Sequence, residues 1–272
     1  MRWLYAWRAW CMAAALVACG AGRVVAQGLD GDAIATEMAA QSAPQSLDAM
    51  ASVLPTFDLL TGGTQPGRLL FYTGVDAWHF GATGYGGVQW APRGLDKEGF
   101  ILRLIASEGL ERYNAVPKRI TTQIFRASVL PGWKFKRDGF EVQIFAGPDF
   151  EIDTPDSINA TKMRGTHFGA RGGADFWWEP IPQLMLASSF SATTIANAYS
   201  ARGAMGWRLA DLFWLGPEIS TSGDDFSQQY RVGIHLTGFK AAGLDWSAAA
   251  GYVQDSFNRN GIYGRLGVSL RR

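Results

Sequence analysis

Cysteine is almost missing from this chain of 272 residues, and both copies, Cys11 and Cys19, lie close to the N-terminus. A disulfide framework for the bulk of the protein is therefore excluded. Charge of one sign is missing too. The formal net charge is +1, so neither a basic field for nucleic acid nor an acidic field for cations exists at the level of composition. Proline is sparse, at 11. No apolar run approaches the roughly 20 residues of a transmembrane helix, although 47% of the residues are hydrophobic. Metal-ligand spacing is lacking as well: the 3 histidines, His79, His167 and His235, are far apart, so no metal is expected. No glycine-rich stretch opens a helix after a strand, so phosphate-loop cofactors are not expected either, and no cofactor is assigned.

What is abundant is glycine (33) and aromatic residues (16 Phe, 11 Trp, 8 Tyr), a mixture biased toward β-structure. Residues 1–26 read as a signal peptide, with Arg2 and Arg8 ahead of the apolar AWCMAAALVA and a small residue, Ala26, at the cleavage position. Leu16 to Gly20 also fits a bacterial lipobox, which would make Cys19 a lipid-modified N-terminus; the two exits stay open. Residues 27–68 are rich in Ala, Ser, Gln and Asp and nearly free of aromatics, the composition of a flexible periplasmic segment.

From Leu69 onward the hydrophobic period becomes two. LLFYTGVDAW sets Phe71, Thr73, Val75 and Ala77 on one face and Tyr72, Gly74, Asp76 and Trp78 on the other. The stretch HFGARGGADFWWEP (167–180) obeys the same rule, with His167, Arg171 and Asp175 in a row. Its glycines would cost a helix about 1 kcal/mol each relative to alanine, so it is a strand. On a strand, residues four apart are about 13 Å apart, too far for direct hydrogen bonds within the row. Such segments predict about twelve strands, near 69–80, 84–92, 99–108, 119–133, 139–148, 164–178, 183–195, 198–209, 212–222, 228–239, 244–254 and 261–270. Tight connections alternate with longer ones, among them LERYNAVP and residues 149–163. The expected fold is all-β: a closed, antiparallel, up-and-down outer-membrane barrel over 69–272.

Aromatic placement supports that fold. Trp90, Phe100, Trp133, Phe140, Trp178, Trp207, Phe213 and Trp246 each lie within a few residues of a tight turn and would form a periplasmic girdle. Phe80, Phe190, Tyr199, Tyr230 and Tyr252 would form a second one. The opposite faces predict a polar lumen row of Asp76, Arg103, His167, Arg171, Asp175, Arg202, Arg208, Glu218, Arg231 and Arg265, with Glu141 and Asp245 beside it. Its Arg–carboxylate pairs would interlock and close the pore, whereas the lumen glycines Gly147, Gly169, Gly173, Gly206, Gly233, Gly251 and Gly267 argue for open volume. Inward aromatics are few: Tyr72, Trp78, Phe145, Trp177, Trp214, Phe239 and Tyr263. Closure requires the first strand to pair with the last, with Asp76 and Arg265 pointing inward at one height.

The stretches FYTGVDAWHFGATGYGGVQWAP, LPGWKFKRDGFEVQIFAGPD and RGTHFGARGGADFWWEP, followed by LGPEIS and GIYGRLGVSL, resemble the cellulose biosynthesis protein family BcsS. The resemblance implies an accessory protein of bacterial cellulose production or export, with no catalytic residues to transfer and no enzyme activity. Expected partners are outer-membrane lipid and either cellulose synthase or export components, or the glucan chain itself. A membrane-embedded hydrolase and a general porin-like channel remain as alternatives. The expected location is the cell outer membrane.

Overall fold

The computed structural model describes residues 67–115, 118–156 and 163–272. The readings for residues 1–26, for nearly all of 27–68 and for Cys19 lie outside the described residues. Twelve strands follow one another along the chain: β1 (Leu69–Trp78), β2 (Gly81–Trp90), β3 (Gly99–Ala115), β4 (Lys118–Arg137), β5 (Phe140–Pro155), β6 (Gly165–Ile181), β7 (Leu184–Thr193), β8 (Tyr199–Leu209), β9 (Phe213–Gly223), β10 (Gln228–Ala241), β11 (Leu244–Asp255) and β12 (Asn260–Arg271). Each pairs antiparallel with its neighbours in sequence, and β1 pairs with β12, so the sheet closes as an up-and-down barrel.

The seam has the register that closure demands: Val75 stands opposite Leu266, Asp76 opposite Arg265 and Ala77 opposite Gly264. Closure leaves no free first or last strand, whose unpaired N–H and C=O groups in hydrocarbon would cost several kcal/mol apiece; the ends of β3 beyond Glu111 and of β6 before Arg171 outrun the ladders to their shorter neighbours. Alternation then sorts the residues. Phe71, Ile144, Phe168, Ile234 and Ile262 face outward and exposed, while Tyr72, Asp76, Gln143, Arg231 and Tyr263 face inward and buried.

Several boundaries differ from the sequence expectation, for one physical reason. β3 continues to Ala115 and β5 to Pro155, so much of LERYNAVP and of residues 149–163 is strand rather than loop. Beyond Leu110 the outward residues are no longer apolar. On β3 period-two hydrophobicity fades, while β5 keeps Phe150 and Ile152 outward between buried carboxylates, and the backbone ladder continues through both, as Arg112↔Thr121 and Ile124↔Asp153 show. The strands β3 to β6 thus make a wall of 16 to 20 residues, against 10 in β1, β2 and β7. At the same end β2 begins at Gly81, which leaves His79 and Phe80 as the whole connection from β1.

Two aromatic residues are also placed differently. The register of β10 shifts between Leu236 and Phe239, where Gly238 has φ +77°, and the extra residue turns Phe239 outward, 40% exposed. Phe80 does not join an outer girdle; it packs against Trp78, edge-on at 5.2 Å between ring centroids, over the end of the lumen.

Candidate functional site: the filled lumen

The inward faces meet in a polar network threaded with aromatic rings. Three carboxylate nodes organise it. Asp175 on β6 receives Nη2 of Arg103 on β3 at 2.6 Å, and the same guanidinium donates to Gln89 (3.1 Å) and Gln143 (3.0 Å) and lies over the Phe145 ring at 4.3 Å. Arg103 has no exposed surface. Glu218 on β9 accepts from Arg202, from Arg265 (2.6 Å) and from the Tyr263 hydroxyl (2.6 Å). Asp149 on β5 accepts from Ser128 (2.7 Å), Arg171 (3.1 Å) and Thr193 (2.6 Å).

Asp76 and Arg265 are cross-strand neighbours, but their ion pairs go elsewhere. Asp76 binds Nη1 of Arg231 at 2.9 Å, and Arg265 reaches Glu218. A guanidinium on a long stem reaches past the adjacent strands, and in each of these pairs a single Nη meets the carboxylate. The His167–Arg171–Asp175 row divides similarly: His167 faces Asp153 at 3.8 Å, Arg171 pairs with Asp149, and Asp175 with Arg103. Arg208, at the opposite end of the barrel, lies 5.5 Å from the Trp214 ring and 3.8 Å from Asp211.

The lumen glycines do not provide open volume. A Cβ on Gly173 would stand 2.8 Å from the Phe145 ring, on Gly87 2.4 Å from the Tyr72 hydroxyl, and on Gly233 2.5 Å from the Tyr263 hydroxyl. At these three positions a side chain would collide with an aromatic residue of another strand: Phe145 of β5 at Gly173, Tyr72 of β1 at Gly87 and Tyr263 of β12 at Gly233. Tyr72, Trp78, Phe145, Trp177, Trp214 and Tyr263 are accordingly buried. At the turn side, Leu95 folds back into the barrel, and its carbonyl accepts from Lys134 Nζ at 2.7 Å. Lys134 also pairs with Glu141 at 3.0 Å. Together they stopper that end.

Lys134, Asp149, Arg126 and the Asp255–Arg259 pair are members that sequence reasoning missed. Lys134 was legible: Trp133 and Phe135 facing outward force the lysine between them inward. Asp149 was not, because Gly147 and Pro148 just before it interrupt the strand pattern, although β5 runs on to Pro155. Among the girdle residues, Trp90, Phe100, Trp133, Phe140, Trp178 and Trp207 are exposed on the outer wall, and Phe213 and Trp246 are partly so. Phe100 stands opposite Trp133 and Phe140 opposite Trp178, so their rings share a height.

With this geometry in hand, three solved structures are similar in fold at low identity. The translocator domain of the autotransporter NalP from Neisseria meningitidis aligns at a TM-score of 0.50 and 13% identity, over 79% of this chain and 91% of that one. LpxR from Salmonella typhimurium aligns at 0.47 and 11%, over 74% and 99%. A KdgM porin aligns at 0.43 and 11%, over 74% and 98%. No curated protein matches the chain. The family model described as cellulose biosynthesis protein BcsS matches residues 70–272, the whole barrel but its first residue. The chain belongs to that family.

Proposed function

We propose that the protein is an accessory of cellulose biosynthesis that sits in the outer membrane as a closed scaffold barrel, and is neither an open glucan channel nor an enzyme. Residues 1–26 direct export in this reading, 27–68 lie in the periplasm, and the Trp90–Trp246 girdle meets the lipid interface. The observation that carries it is the filled lumen: Arg103, Trp214, Lys134 and His235 have no exposed surface. A sugar chain in transit would need a continuous lane with rings presented to it, and here Arg103 lies over the Phe145 ring at 4.3 Å and Arg231 over the Tyr263 ring at 4.7 Å. A hydrolytic reading has less support. His235 faces the Thr237 hydroxyl at 3.1 Å and the Met205 carbonyl at 3.3 Å, with His235 and Thr237 both fully buried, out of reach of substrate.

The test combines fractionation, planar bilayers and genetics. The protein should require detergent for release from the outer-membrane fraction. Purified protein should insert without steady conductance, and deletion of its gene should lower cellulose output. Steady single-channel currents from the unaltered protein would favour the pore instead.

A further inference from the structure

The extracellular end, where the lumen network reaches Arg126 and the Asp255–Arg259 pair, carries further features outside the three carboxylate nodes and the lipid belt. Three loops there are tied into one roof. In the β7–β8 loop, Asn197 Nδ2 donates to both oxygens of Asp225 in the β9–β10 loop, at 3.0 and 3.1 Å, and Asp225 N–H donates back to the Ala196 carbonyl at 2.9 Å. In the β11–β12 loop, Ser256 N–H donates to the Gln228 carbonyl (2.8 Å), and Ser256 Oγ accepts from Gln228 N–H (3.1 Å). Arg259 then donates to the Arg112 carbonyl on β3 at 2.7 Å. Ala196, Asn197 and Asn258 hold positive φ of 50° to 56°, a conformation non-glycine residues keep only when their surroundings impose it.

This roof presents two phenylalanines to water. Phe226 is 38% and Phe257 48% exposed. Each lies past the outward tyrosine of its own strand, Tyr230 on β10 and Tyr252 on β11, and the Arg259 guanidinium lies over one face of the Phe257 ring at 5.0 Å, leaving its other face to a ligand. Between their loops is a polar recess with about 50 Å³ of room, lined among others by Tyr199, Ser222, Asp224, Gln228, Gln229 and Asp255. That volume takes a water or a hydroxymethyl group but no sugar ring.

We propose that this roof is a docking surface for an uncharged polysaccharide, a β-linked glucan, which lays sugar faces on Phe226 and Phe257 and places hydroxyl groups at the recess. The assignment of glucan rests on the cellulose reading above; the surface chemistry stands by itself. Aromatic faces pack on the C–H faces of sugars, and side-chain amides, hydroxyls and carboxylates bond their hydroxyl groups. The charge excludes a polyanion. Glu111, Asp224 and Asp255 line the recess together with Arg126, and the guanidinium groups of Arg126 and Arg259 are held by Glu151 and Asp255 at 2.6 Å each. The Phe226 N–H donates to Asp224 Oδ1 at 2.8 Å and the Phe257 N–H to Asp255 Oδ1 at 3.0 Å, so with the inter-loop bonds the backbone under both rings is ordered before a ligand arrives, which lowers the ordering cost of binding.

The test uses the full chain in detergent or nanodiscs, with cellohexaose in calorimetry and amorphous cellulose in pull-down, and oligogalacturonate as the charged control. Cellohexaose should bind and oligogalacturonate should not. The double variant Phe226→Ser, Phe257→Ser should bind about tenfold more weakly while keeping the heat-modifiable mobility of a folded barrel, and Lys97→Ser on the opposite rim should bind normally. Absence of binding, equal binding of the acidic oligomer, or binding indifferent to the double substitution would each overturn the docking surface. If deletion of the gene still lowers cellulose output, the cellulose reading survives that failure.

Discussion

Glu218 shows how much of this barrel depends on single side chains. Its two oxygens accept from Arg202, Arg265 and Tyr263, and it is buried with all three. Removing one member of a buried ion pair leaves the others desolvated and unpaired, at a cost of roughly 3–5 kcal/mol. Glu218→Gln keeps the volume and loses the charge that holds two guanidinium groups. The variant should unfold at distinctly lower urea, followed by loss of heat-modifiable mobility. Phe190→Leu, on the lipid face, should barely move the midpoint. If Glu218→Gln matches the unaltered protein, the node is not a structural keystone.

At the scale of the element, the seam is where sequence reasoning reached furthest. Period-two alternation fixes which face each residue takes, and closure in lipid fixes that β1 must meet β12, so the Asp76–Arg265 register could be anticipated before any coordinates. What alternation does not encode is equally specific. The bulge that reverses Phe239 depends on one glycine φ, and the height of β3 to β6 depends on ladder pairing that continues after the outward face of β3 has turned polar. Lumen pairing was illegible for a further reason: the period places Arg231 and Arg265 on one side, but which carboxylate each reaches depends on the curvature of the closed wall. The seam offers a direct check. Val75 and Leu266 are opposed on adjacent strands, at the about 4.5–5.5 Å Cα separation of antiparallel partners, within disulfide range. In a background with Cys11 and Cys19 replaced by serine, Val75→Cys with Leu266→Cys should oxidise within one chain and shift mobility on non-reducing gels. Val75→Cys with Leu270→Cys, four residues out of register, should stay reduced.

For the whole molecule, the question is whether the lumen is closed by its side chains or by the shape of the wall. Twelve strands enclose a cross-section between that of small filled barrels and that of water-filled porins, so strand number alone decides nothing. Here the filling belongs to identifiable pairs, Arg103–Asp175 and Arg231–Asp76, each reaching across intervening strands. Truncating one partner would leave a lone buried charge and confound opening with unfolding. Truncating both removes the opposed charges together and leaves neither of them buried without its partner. The quadruple variant Arg103→Ser, Asp175→Ser, Asp76→Ser, Arg231→Ser should therefore still run as a folded barrel. In planar bilayers it should show discrete conductance steps where the unaltered protein is silent, because water replaces two guanidinium groups and their partners along the axis. A folded quadruple variant that stays silent would move the seal to the ends of the barrel. There Leu95 with Lys134 on one side, and the roof joined by Arg259 on the other, would be the barriers that remain.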